Sequence, residues 1–161
     1  MIGLERFLAA MHRARVDFIV IGGIAARMHG SARITQDVDV VYAHSDANIR
    51  RLVGALAPFK PYLRGAPPDL PFEWSVATVK AGLNFTLTTT IGDIDVLGEV
   101  AGAGRYEDLQ PLSVVLDAFN VPTRVVTIAG LIQLKRAAGR IKDYEAIAEL
   151  EILRDLTDKK D

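Results

Sequence analysis

The chain has 161 residues, of which 50% are hydrophobic, with a net charge of −1 and no cysteine. One domain of this size has enough apolar content for a buried core, which excludes a disordered chain. The balanced charge excludes a general nucleic-acid coat, though not a local RNA-binding patch, and the lack of cysteine excludes disulfides, thiolate catalysis and a cysteine zinc site.

Along the chain, Leu4, Phe7, Leu8 and Met11 recur at helical spacing and predict an amphipathic helix over 3–15. Glu5, Arg6 and Arg13 interrupt any signal-peptide core there. Residues 17–21 (DFIVI) read as a buried strand running into a Gly22-Gly23 turn, followed by a short helix over 24–29. The valine-rich stretch 36–42 reads as a strand. Ser45 is placed to cap a helix over 46–57, which ends before Pro58. Residues 61–71, PYLRGAPPDLP, read as loop, and 73–81 as a turn or two of helix. Residues 83–90 alternate as a strand does, Gly92-Asp93 makes a turn, and 94–100 forms a second strand. Residues 102–104 are loop, and 113–118 and 124–127 are weaker strands with Val121-Pro122 between them. The pattern over 128–156 is helical, with a break at Gly139, and the tail TDKKD reads as frayed. The uncharged run 81–92 is too short and too rich in threonine to span a bilayer, so a cytoplasmic protein without a membrane partner is expected.

The resulting fold class is α/β (α+β): a small mixed β-sheet flanked by helices, with C-terminal helices. No composition shift marks a linker. A single domain over 1–161 is expected, with a core over about 17–127 and a helical segment over about 128–157.

The stretch ITQDVDVVY (34–42) carries the chemistry. Strand side chains alternate faces, so Asp37 and Asp39 share one face, roughly 7 Å apart at Cα. Valines surround them, and two carboxylates so close beside an apolar sheet lose hydration and repel each other. Either this face is open to water, or a divalent cation neutralises it; hard oxygen ligands select magnesium, manganese or calcium. The segment GDIDVLGEV repeats the arrangement with Asp93 and Asp95. A carboxylate from a second strand is what a two-metal site requires, because bridging ligands must converge from more than one direction. Upstream, Gly22 and Gly23 stand between a strand and a helix start, where backbone N–H groups can approach a phosphate.

Taken together, GGIAARMHGSARITQDVDV and GDIDVL resemble the DNA polymerase β-type nucleotidyltransferase superfamily. The likeness is to its minimal bacterial branch, which includes abortive-infection and minimal nucleotidyltransferase toxins. The family pattern is Gly-Gly or Gly-Ser at a helix start, a DxD in the next strand and a third carboxylate one or more strands later. The likeness extends into LIQLKRAAGRIKDYEAIAEL, with Lys135, Arg140 and Asp143 at matching places, and so covers most of 17–150.

The resemblance implies a nucleotidyltransferase fold and a role for each motif residue. Asp37, Asp39 and Asp95 would be the catalytic metal ligands, holding Mg2+ or Mn2+, and Asp95 would help deprotonate the attacking hydroxyl. Asp95 is chosen over Asp93 because it directly precedes the apolar pair Val96-Leu97. Gly22, Gly23 and Lys135 would bind the nucleotide. Lys135 is either a counter-charge for the triphosphate or a solvated helix lysine. Asp143 either orients that lysine or an acceptor, or is an exposed helix acid. Arg33 and Thr35 flank the site as structural or phosphate-facing residues. His12, His29 and His44 are scattered and carry no role, and Phe72 and Trp74 read as core packing.

The chain departs from the family in two respects: glycine replaces the frequent serine at 23, and only helices are present to hold an acceptor. The implied function is transfer of an NMP from an NTP such as ATP to a hydroxyl acceptor, an RNA or tRNA 3′ end or a protein. A toxin role with an antitoxin protein as partner follows from the resemblance alone. The alternative is a nucleotide-binding or complex-forming homologue with little or no turnover.

Overall fold

The computed structural model describes residues 2–141 and 143–159. The element order is α1 (Leu4–Arg13), β1 (Phe18–Ile21), α2 (Gly22–Met28), β2 (Asp37–Tyr42), α3 (Asp46–Leu56), β3 (Tyr62–Leu63) and α4 (Val76–Ala81). It continues with β4 (Asn84–Thr89), β5 (Gly92–Leu97), α5 (Tyr106–Leu109), β6 (Ser113–Ala118), β7 (Val121–Val126), α6 (Ile128–Ala138) and α7 (Asp143–Asp158). Among the described residues, seven strands form one mixed sheet in the order β3-β4-β5-β2-β1-β7-β6. Helices flank it, so the architecture is the expected mixed α/β sheet.

Three helix starts have a local cause. Ser45, Ser75 and Thr127 precede α3, α4 and α6, and each side-chain oxygen accepts a backbone N–H three residues on. Such a bond satisfies one of the four orphan donors of a helix N-terminus and contributes about 1 kcal/mol. Helix α1 buries Phe7, Leu8 and Met11, the stripe that its spacing predicts.

Strand β1 is fully apolar. All four residues of β1 are buried, between antiparallel β2 and parallel β7. On β2, Val38 and Val40 are buried on one face while Asp37 and Asp39 are half-buried on the other. Strand β5 repeats this, with Ile94 and Val96 inside. Buried Asn48 locks the β1–β2 pair: its Oδ1 accepts the Asp17 N–H at 2.7 Å, and its Nδ2 donates to Asp17 O at 3.0 Å and Ala43 O at 2.8 Å.

Several boundaries differ from the sequence expectations, among them the turn expected at Gly92-Asp93, which lies at 90–91 because both residues pair with β4 as the start of β5. Gly22 and Gly23 are the first residues of α2, not a separate turn. The loop 61–71 contains the two-residue edge strand β3, too short to show a period of its own. Strand β5 ends at Leu97, and Val100 instead bridges to Gly104. Strand β7 begins at Val121 and includes Pro122, with Phe119 and Asn120 taking positive φ in the tight β6–β7 turn. The tail is helical through Asp158, and Lys160 and Asp161 lie outside the described residues. No helix among the described residues is long and apolar enough to cross a membrane.

Candidate functional site

Strands β2 and β5 run parallel and in register, with Asp37 opposite Asp93 and Asp39 opposite Asp95. Directly opposed residues share a sheet face, so four carboxylates project to the same side. Within this group, Asp37, Asp39 and Asp95 each place an oxygen within 4.8 Å of the others. Asp93 stands outside this closest set, although it has the same facing.

That concentration of negative charge has measurable consequences. Burial pushes the Asp39 carboxyl up to about 7, and the adjoining Asp95 and Asp37 carboxylates push in the same direction; Arg64 opposes them. A carboxylate held so far above its ordinary range lacks sufficient compensating positive charge. Hard oxygen donors converging from two strands fit a magnesium or manganese ion and suit neither copper nor a structural zinc.

Arg64 is a feature of this site that the sequence reading does not reach. Its Nη2 lies 2.7 Å from Asp95 Oδ1, its Nε 3.4 Å from Asp93 Oδ2 and its Nη1 3.9 Å from Asp37 Oδ2. Nη2 also donates to Leu87 O at 2.9 Å. The residue follows β3, and its backbone N–H donates to Thr86 O at 3.0 Å. It thereby extends a cross-strand row formed by Thr86, Asp95 and Asp39. The only signal in the sequence is an arginine in a proline-rich loop.

The two glycines meet the carboxylate face through close approach. Gly22 has φ +69°, the left-handed region that glycine enters without a steric penalty. A Cβ there would stand 2.2 Å from Asp39 Oδ2. At Gly23 a Cβ would stand 2.8 Å from Thr35 Oγ1 and 2.9 Å from Thr35 Cβ. A serine at 23 therefore has no room while Thr35 keeps its place, and the hydroxyl beside this glycine belongs to Thr35. That hydroxyl donates to Asp37 O at 3.2 Å.

Lys135 is not among the carboxylates. It lines a cavity of about 440 Å³ together with Gly23, Thr35, Asp143, Leu150 and Leu153. Its Nζ lies 3.4 Å from Asp143 Oδ1, and Arg140 Nε lies 2.7 Å from Asp143 Oδ2. Asp143 is buried, so the exposed-acid alternative does not hold. Burial pushes its carboxyl up, but the Arg140 hydrogen bond and the Lys135 charge outweigh this and hold it below the ordinary carboxylate value. Arg33 forks onto Glu149 at 2.6 and 3.0 Å and ties the loop before β2 to α7. Trp74 donates to Val53 O and packs edge-on against Phe85, and both Phe72 and Trp74 pack on the core, as expected of them.

Comparison with known proteins finds similarity among solved structures. No protein-family model and no curated protein matches the sequence. Among solved structures, the crystal structure of a "putative nucleotidyltransferase" from Thermotoga maritima superposes with a TM-score of 0.57. The match covers 91% of this chain and 88% of that one, at 12% sequence identity. The chain has a nucleotidyltransferase fold. At that identity the likeness is one of fold, and the chemistry rests on the residues of this chain.

Proposed function

We propose that this protein is a metal-dependent nucleotidyltransferase that moves an NMP from an NTP to a hydroxyl on RNA or protein. The supporting observation is the convergence of Asp37, Asp39 and Asp95 from two paired strands to within 4.8 Å, against a glycine whose missing Cβ leaves room for Asp39. In this reading all three carboxylates are metal ligands. Divalent ions bound there supply charge neutralisation for the attacking and leaving oxygens of an in-line displacement. Asp95 takes the proton of the acceptor hydroxyl. The acceptor oxygen bonds to the α-phosphorus, the bond to the bridging oxygen of the β-phosphate breaks, and pyrophosphate leaves. Backbone N–H groups at Gly22 and Gly23 bind the triphosphate, with Lys135 contributing charge from the adjoining cavity wall.

The test is label transfer. The purified protein is incubated with each α-³²P-labelled NTP, magnesium or manganese, total tRNA and cell extract, with Asp39→Asn as control. A labelled band formed by the wild type alone supports the reading, and its nuclease or protease sensitivity names the acceptor class. The absence of a band under every condition removes it. The family resemblance adds a toxin–antitoxin role, which growth arrest on expression, relieved by Asp39→Asn, would support.

One observation favours a second reading, a binding protein with little or no turnover. Arg64 already neutralises part of the acidic face without a metal. Nucleotide binding without label transfer would select it.

A further inference from the structure

The guanidinium of Arg64 lies beside two of the three convergent carboxylates, touching Asp95 and facing Asp37, and it also faces Asp93. It is an unusual ion pair in three respects. One arginine faces three carboxylates, yet only Asp95 receives a hydrogen bond from it. Among the described residues, the buried Nε–H has no hydrogen-bond acceptor, because Asp93 Oδ2 at 3.4 Å does not meet hydrogen-bond geometry. Its main chain is fixed, since the Arg64 N–H is held by Thr86 O on β4. Any motion therefore belongs to the side chain, which is the long, flexible part.

A divalent ion on Asp95 Oδ1 would stand close to the guanidinium and compete with it for the negative charge of that carboxylate. Two positive charges so close would repel, so each weakens the hold of the other. The carboxylates face one another across β2 and β5 whether or not a metal is present, and in the free protein the Arg64 guanidinium offsets part of their repulsion.

We propose that Arg64 is a built-in counter-cation that competes with the divalent metal for Asp37 and Asp95 and sets the metal affinity of the site. This rests on the metal-site reading of the carboxylates. Metal binding releases the guanidinium from Asp95 while Leu87 O and the fixed main chain keep the residue at the rim of the site. There its planar fork, one N–H of which is already unpaired, is matched to phosphate oxygens. Arg64 thus has two successive partners of like charge: the carboxylates before metal enters, and an anionic phosphate group afterwards.

The experiment is manganese titration, read as loss of the free Mn2+ electron-paramagnetic-resonance signal, for wild type, Arg64→Ala and Arg64→Gln. Arg64→Gln keeps a donor for Leu87 O without the charge, so it guards against loss of folding in Arg64→Ala; circular dichroism verifies the fold of both. Removing the competing charge is expected to lower the Mn2+ dissociation constant by up to about fivefold, the scale of one half-exposed ion pair. The same variants are expected to bind an NTP in the presence of Mn2+ more weakly than wild type. Equal or weaker Mn2+ binding in both folded variants overturns the proposal and leaves the metal site standing. Absence of Mn2+ binding in all three proteins, or binding that Asp39→Asn does not affect, overturns the metal-site reading and this proposal with it.

Discussion

Thr35 fills the space into which a side chain at Gly23 would project, with its Oγ1 2.8 Å and its Cβ 2.9 Å from the position of that Cβ. Both atoms belong to a short β-branched side chain that cannot swing far. Gly23→Ser is therefore expected to destabilise the protein by about 1–3 kcal/mol through overpacking. Gly23→Ser combined with Thr35→Gly should recover part of that loss, because the two residues share one space. Thermal melts of the two single variants and the double variant measure the coupling. Strict additivity would show that the contact does not set the cost.

Gly22 makes a separate demand. Its φ of +69° costs a side chain about 1–2 kcal/mol, before the 2.2 Å approach to Asp39 Oδ2 is counted. Gly22→Ala should lower the melting temperature and, by displacing the Asp39 carboxylate, weaken Mn2+ binding more than the stability loss explains. A variant that melts lower but titrates Mn2+ like the wild type would separate the glycine from the carboxylate site.

Asp39 produces a pH dependence with a definite sign. Its carboxyl is pushed up to about 7 in the folded protein, chiefly by burial, against 3.8 as the ordinary value. Between these values the unfolded chain loses a proton that the folded chain keeps. The stability from this group is therefore fully present below pH 4 and lost as pH rises toward 7. In metal-free buffer, Asp39→Asn is expected to melt above the wild type at pH 7.5, with the gap closing as pH falls toward 4. Added Mg2+ or Mn2+ should raise the wild-type melting temperature at pH 7.5 and leave the variant unchanged. Parallel melting curves for both proteins across this range would contradict the assignment.

Asp143 carries the opposite sign. The Arg140 hydrogen bond and the Lys135 charge hold its carboxyl below the ordinary value despite burial. Its stabilisation is present above that value and lost as pH falls through the lowered one. Asp143→Ala should destabilise by about 1–3 kcal/mol at pH 7, since it leaves half-buried Lys135 without its partner. Relative to the wild type the loss should shrink below pH 4. A constant gap between the two melting profiles down to pH 3 would place the cost in packing alone.

The divide between sequence and tertiary structure runs through particular residues. Period-two alternation was enough to put Asp37 and Asp39 on one strand face, because that relationship is local and geometric. Helical spacing likewise picked out Phe7, Leu8 and Met11, and hydroxyl chemistry marked Ser45 as a cap. A strand was legible in 94–97, but its start at Gly92 and its parallel pairing with β2, which brings Asp95 to Asp39, were not. Strand order depends on contacts between distant segments and leaves no local period to read. Val121 and Pro122 were read as a break, since proline lacks an N–H, yet β7 accommodates them opposite Ala118 and Asp117. Arg64 escaped for the same reason as the strand order, and Thr35, although it was read as flanking the site, escaped in its relation to Gly23. Their significance lies in what stands opposite them: carboxylates on β2 and β5 for Arg64, and the absent Cβ of Gly23 for Thr35. The sequence by itself determined the elements and the kind of chemistry, because those follow from neighbours along the chain. Only the tertiary structure decided which charges meet, because that follows from neighbours across the sheet.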